Sequence, residues 1–215
     1  DEGEAALDSG RQSKFRSATG SMIFIISDIE VLAYPVKELA RDIQKPTEDS
    51  WMDLKRLARW MWDHPDLVTV NKFDIALRGE PTLTLKVQQD SDWASARDRK
   101  STSGLRATVG GFRLSHSAST QAGLPSLSSG EAELKSHTRA ACEGVYIYNM
   151  LGELGSKVTT VLEGDSTAAM QNAAKLGPGR IRHLEASQFF VKEIVRRRLA
   201  RLRHVGRAFN IADIF

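Results

Sequence analysis

The sequence predicts an α/β chain in which a small helical segment precedes a mixed five-stranded sheet flanked by helices. Three observations carry this expectation. Apolar residues recur at three- and four-residue steps as far as Trp62, and from Leu83 they alternate with polar ones instead. The later elements follow the order β-β-β-α-β-α-α-β, which starts antiparallel and adds parallel strands. The chain has 215 residues, 41% hydrophobic and 27% charged, enough for one domain of roughly 130–150 residues with an appendage.

Residues 1–20 are polar and read as a loose lead-in. From Tyr34 the pattern is helical: Val36, Leu39 and Ala40 share a face, and Pro46 stops the segment. Pro35 fits poorly inside that helix. Thr47 or Asp49 then caps a second helix, where Trp51, Leu54, Leu57, Ala58 and Trp62 read as packing residues. Together these make a hairpin of roughly 35 residues, too small to hold a core alone, within a helical segment spanning 21–80. The sheet domain spans 81–215. Leu83, Leu85 and Val87 mark its first strand, and residues 104–110 and 112–117 form two more, joined by the hairpin signal Gly110-Gly111. Ser128 opens a long helix through Leu134, Ala141, Tyr148 and Leu151, with Cys142 read as core and Gly155 as its stop. A strand over 158–162 runs into Gly164-Asp165-Ser166, followed by a short helix. After Gly177-Pro178-Gly179 come a basic helix over 183–198 and a strand over 200–205. Asn210–Asp213 reads as the first turn of a last helix, cut short by the chain's end.

Composition narrows the function classes. The apolar run from Met22 to Ile26 is five residues, where a membrane span needs about 20. The first eight residues carry Asp1, Glu2, Glu4 and Asp8 and no base, unlike a secretory signal. A single cysteine forms no internal disulfide and leaves no cysteine-based zinc site. An intracellular setting, cytoplasmic or nuclear, is expected. Net charge is +3, yet residues 171–215 hold ten Lys and Arg against three acids. That distribution suits a polyanion partner, or equally a solvated helix face.

Four acids stand at element ends: Asp90, Glu133, Asp165 and Asp213. Four gathered carboxylates repel one another unless cations sit among them, and hard oxygen donors favour Mg²⁺ or Mn²⁺. Two such ions serve phosphodiester cleavage. Spacing alone leaves a chance arrangement open.

The surrounding residues are more specific. Asp90-Ser91-Asp92-Trp93-Ala94 with Asp98-Arg99-Lys100-Ser101-Thr102-Ser103-Gly104 resembles a signature of copia-type retrotransposon ribonuclease H domains. Leu127-Ser128-Ser129-Gly130-Glu131-Ala132-Glu133, Glu163-Gly164-Asp165-Ser166-Thr167-Ala168, Arg182-His183-Leu184-Glu185 and Asn210-Ile211-Ala212-Asp213-Ile214-Phe215 resemble further motifs of that family, in its order. Residues 14–65 resemble the connection segment after the family's reverse transcriptase. The resemblance implies a ribonuclease H-like fold, truncated here at its last helix, and hydrolysis of the RNA strand of an RNA–DNA hybrid with two Mg²⁺ or Mn²⁺ ions. It makes Asp90, Glu133, Asp165 and Asp213 the metal ligands and catalytic set, with Asp92 and Glu131 as near-duplicates facing away. It makes the polymerase region of the same polyprotein a partner, although these residues contain no polymerase YxDD motif. A catalytically decayed fragment, acting as a nucleic-acid-binding or scaffold module, is the alternative. Arg99, Lys100, Ser101 and Thr102 form a basic, hydroxyl-bearing loop suited to phosphate. His183, Arg196 and Arg197 are further candidates for nucleic-acid contact, with capping or plain solvation the competing readings. Trp93 is expected to buttress Asp90.

Overall fold

The computed structural model describes residues 5–96, 98–167, 170–171 and 186–213. Contacts divide the chain into two units, Asp1–Val70 and Asn71–Phe215.

The first unit is helical: α1 (Ser9–Ile25), α2 (Ala33–Arg41) and α3 (Glu48–Asp63). The expected loose lead-in is corrected by α1, which buries Phe15, Thr19 and Met22. These three lie four and three residues apart, so one narrow stripe suffices while serines and glycines cover the rest. Asp8 caps the helix by accepting from the Arg11 N–H at 2.9 Å. The Arg11 guanidinium also reaches Glu48 at the start of α3, at 2.7 Å. Phe15 packs with Leu7, Leu32, Val36, Leu39 and Leu54 in the unit's core. Pro35 is accommodated after all: it is the third residue of α2, in the first turn, where no N–H partner is required. Thr47 and Ser50 form a capping box on α3. Trp51 and Trp60 pack against the core, but Trp62 is 85% exposed and is no packing residue.

The second unit is built on the expected mixed five-stranded α/β sheet. Its strands are β1 (Leu83–Asp92), β2 (Thr102–Val109), β3 (Phe112–Thr120), β4 (Val158–Gly164) and β5 (Ala200–His204), in the order β3-β2-β1-β4-β5. β1 pairs antiparallel with β2 and parallel with β4, and β4 pairs parallel with β5. The Gly110-Gly111 turn joins β2 and β3 with φ of 56° and 82°, the left-handed values that two-residue hairpins demand. Phe73 lies against Gly110, where a Cβ would come within 2.6 Å of its ring, and the Asp74 N–H donates to the Gly110 carbonyl at 2.7 Å. The lead into β1 is therefore tied to this hairpin.

The long helix α4 (Ser129–Glu153) and helix α5 (Ala186–Arg196) complete the core. Leu85, Val87, Leu105, Ala107 and Leu162 of the sheet pack with Ala140, Ala141, Val191 and Ile194 of the helices. Gly144 lets α4 lie close, since a Cβ there would come within 3.2 Å of Thr160. Cys142 is exposed, which corrects its reading as core: α4 buries positions 137, 140, 141, 144 and 147, and 142 falls off that arc. The last helix is also corrected. Residues Arg207–Phe209 form a 3₁₀ turn, and Asp213 closes a further turn through its N–H on the Asn210 carbonyl. The Asn210 side chain is committed to the Gln89 carbonyl at 3.0 Å, which anchors the segment without helical pairing.

After α5, Arg198 adopts φ of 60° while the Leu199 N–H bonds the Ile194 carbonyl and the Arg198 N–H bonds the Val195 carbonyl. This is the left-handed helix stop that glycine fills best. Arg198→Gly should therefore raise stability by about 0.5–1 kcal/mol, read as a higher urea midpoint. Leu162→Ala, in the fully buried centre of β4, should lower it by about 2–5 kcal/mol in the same assay.

Candidate active site

The C-terminal ends of β1 and β4 lie side by side, and α4 starts above them. Asp90 sits near the end of β1, Glu133 in the second turn of α4, and Asp165 just beyond β4. Their carboxylate oxygens lie within 4.8 Å of one another. Asp90 and Glu133 are buried and Asp165 is half-buried. Burial, then the neighbouring Asp165, push the Asp90 carboxyl up to about 6, with Asp213 adding to the effect. Burial, then Asp90, push Glu133 up to about 7. The donor set is oxygen alone, which suits a hard divalent cation such as Mg²⁺ or Mn²⁺.

Each carboxylate is held by neighbours. The Ser91 hydroxyl donates to Glu133 at 3.0 Å, and the Ser136 hydroxyl donates to the Asp90 carbonyl at 2.7 Å. His204 approaches the Asp165 carbonyl at 3.0 Å, and the Val205 N–H bonds the Gly164 carbonyl at 3.0 Å. Fully buried Gln89 and His137 lie behind Glu133. Sequence reading missed Ser91, Ser136, Gln89 and His137 as parts of the site. A signal existed for two of them: positions 136 and 137 share the face of Glu133 at three- and four-residue steps.

Asp213 stands apart from the three converging acids. It is near enough to raise Asp90, yet it accepts from Arg207 at 3.3 Å and lies outside the 4.8 Å group. Asp92 and Glu131 do face elsewhere. Asp92 accepts from the Thr102 N–H and the Ser95 hydroxyl, stapling the loop after β1. Glu131 accepts from the Leu127 N–H at 2.9 Å and pairs with Lys135 at 3.2 Å, near the start of α4. The Trp93 indole N–H donates to the Ser126 carbonyl at 2.9 Å, which ties it to the loop before α4.

Of the candidate nucleic-acid contacts, Arg99 is exposed and Lys100 half-buried. Ser101 and Thr102 are both 1% exposed, which corrects their assignment as phosphate contacts. Ser101 accepts from the Ala94 N–H, and Thr102 is the first residue of β2. Arg196 and Arg197 are exposed, but both pair with Glu193, at 2.7 and 2.6 Å. His183 lies outside the described residues.

No protein-family model matches the chain. It is similar to the retrovirus-related Pol polyprotein from transposon RE2 of Arabidopsis thaliana, with 29% identity over 205 residues, 94% of this chain and 14% of that protein. The corresponding polyprotein from transposon RE1 is 28% identical over the same shares. The expected likeness to retrotransposon Pol polyproteins is thus borne out, and the chain spans 14% of the length of these relatives. Among solved structures, LC11-RNase H1 isolated from compost by a metagenomic approach aligns over 59% of this chain and 87% of its own, at 15% identity and a TM-score of 0.47. The same protein in complex with an RNA/DNA hybrid aligns over 60% and 89%, at 17% and 0.43. The PFV RNase H domain aligns over 58% and 79%, at 10% and 0.42.

The crowded carboxylates give a stability signature. Unfolded, Asp90 and Glu133 titrate near 3.8 and 4.5, whereas folded they titrate near 6 and 7. The folded chain therefore holds more protons between about pH 4 and 7, and their contribution to stability is lost as pH rises through that window. Thermal melts in EDTA should show this fall, with Asp165→Asn flattening it. Mg²⁺ at pH 7.5 should raise the melting temperature of the parent and much less that of the variant. Identical curves for the two proteins contradict this account of the site.

Proposed function

We propose that residues 81–215 are a Mg²⁺- or Mn²⁺-dependent ribonuclease H that hydrolyses the RNA strand of RNA–DNA hybrids, within a copia-type Pol polyprotein. The observation that carries this reading is the convergence of Asp90, Glu133 and Asp165, from three separate elements, onto one cluster of oxygens. The likeness to transposon polyproteins across 94% of the chain supports the same reading. On it, residues 21–80 are the connection segment that follows the polymerase region, and that region is a partner in cis.

Asp90, Glu133 and Asp165 would hold two divalent cations, with Asp213 completing the set after release from Arg207. When bound, such ions activate water and stabilise the leaving alkoxide of a phosphodiester. The chain's own residues supply the frame. Ser91 holds Glu133 in orientation, Ser136 fixes the strand end that carries Asp90, and the His204 contact steadies the turn at Asp165. Arg99 and Lys100, on the loop that follows β1, supply phosphate contacts that orient the duplex without reading its sequence. Hybrid preference follows from 2′-hydroxyl contacts and groove width. The Asp213–Arg207 pair favours a second reading, a catalytically decayed module that binds nucleic acid or acts as a scaffold, because one expected ligand is engaged elsewhere.

Cleavage of an end-labelled hybrid with and without Mg²⁺ separates the two. Asp90→Asn and Glu133→Gln should each lower the rate by at least about a hundredfold (~2.7 kcal/mol). Asp92→Asn and Glu131→Gln should stay within a few-fold of the parent while losing about 1 kcal/mol of stability. Metal-dependent cleavage by the parent, lost equally in Asp92→Asn and Asp90→Asn, would overturn the residue assignment. Hybrid binding without any cleavage by the parent would favour the decayed module.

A further inference from the structure

Behind Glu133 lies a polar pair that the proposed chemistry does not use. Gln89 and His137 are both 0% exposed, in a layer otherwise filled by Leu85, Val87 and Ala140. The His137 Nδ1 lies 3.1 Å from the Glu133 backbone carbonyl. A carbonyl only accepts, so Nδ1 carries the proton and Nε2 presents a lone pair. That lone pair faces the Gln89 Nε2 at 3.5 Å, and the same amide nitrogen lies 3.4 Å from Glu133 Oε2. The two N–H bonds of one NH₂ group are thereby spent on one imidazole and one carboxylate. The Gln89 Oε1 is buried and has no partner among the described residues, so none of them sets the amide's orientation from its carbonyl side. Space is tight as well: a Cβ on Gly164 would come within 2.4 Å of the Gln89 Nε2 and 3.1 Å of the His137 ring.

We infer that His137 and Gln89 are positioning residues for Glu133: the imidazole lone pair holds the Gln89 amide with its NH₂ toward the carboxylate, fixing the rotamer in which Glu133 meets a cation. With the opposite flip, the amide oxygen would face a carboxylate oxygen. The inference rests on the metal-site reading of the three acids, and groups that hold a metal-binding side chain in orientation are worth about 10–100-fold in metal affinity.

Mn²⁺ binding followed by electron paramagnetic resonance tests it, alongside kcat and KM for hybrid cleavage and the melting temperature. Gln89→Met keeps the volume and removes both the NH₂ and the orphaned oxygen. It should hold or raise the melting temperature while weakening Mn²⁺ binding about tenfold and lowering kcat, with KM for the hybrid unchanged. His137→Leu should do the same. The double variant should be no worse than Gln89→Met alone, because the imidazole acts through the amide. His137→Gln, whose side-chain oxygen accepts from the Gln89 NH₂, should restore part of the affinity. Parental Mn²⁺ affinity in Gln89→Met, or additive losses in the double variant, would overturn the inference and leave the nuclease reading intact. If the parent binds Mn²⁺ but does not cleave hybrid, the nuclease reading falls and the affinity series still decides this one. If the parent binds no Mn²⁺, both fall. Should His137→Leu fail to fold, Gln89→Met and His137→Gln give the same decision.

Discussion

Carboxyl groups that are buried together resist ionising together, and the sheet unit is arranged to hold them together regardless. Asp90 and Glu133 pay for their burial with raised proton affinity, and a structure free to relax would let one of them swing into water. It cannot, because both stand on rigid elements. Asp90 belongs to the central strand, which β4 pairs as far as Gln88, and is itself paired with Gly104 of β2. Glu133 is braced by Ser91, and the helix that carries it is braced through Ser136 against the carbonyl of Asp90 itself. The repulsion is stored in the fold, available to be relieved by a cation.

Strand order explains how distant residues arrive at one place. With β1 in the middle, its parallel neighbour β4 must end on the same side of the sheet, so Asp165 emerges beside Asp90. The antiparallel β2–β3 hairpin turns at the opposite end and sends the chain back towards the site to start α4. Parallel pairing of β5 to β4 then delivers the C-terminal segment to the same rim. Asn210 pins it there through Gln89. The Gln88 side chain adds a second tie, donating to the Phe209 carbonyl at 3.2 Å, so the segment that carries Asp213 is held without a helix.

Much of this was legible in the residues, for reasons that also explain the failures. Alternation in Leu83–Val87, the Gly110-Gly111 turn and the cap at Ser128 are local signals, and the elements they mark stand as expected. The acids at the ends of β1 and β4 were legible because each stands three residues beyond the last apolar residue of its strand, Val87 and Leu162. Failures arose where tertiary contact overrules composition. Helix α1 needs only three buried positions, too few to stand out among serines. The hydroxyls of Ser101 and Thr102 look like phosphate ligands in a string but are enclosed by the loop that Asp92 staples. Gln89 and His137 are 48 positions apart, and nothing local in either stretch betrays that they meet.

The Phe73–Gly110 contact has a mechanical meaning. Any pull on the chain preceding residue 71 meets the β2–β3 hairpin before it meets β1, because the Asp74 N–H and the Phe73 ring are fastened there. Leu85 lies opposite Val109, next to that turn, and Asp90 is five residues further along, about 17 Å away. Load is therefore carried across the short hairpin rather than along the strand that aims the carboxylate. Displacement of the segment before residue 71 would strain the turn end of the sheet and leave the end that carries Asp90 aligned.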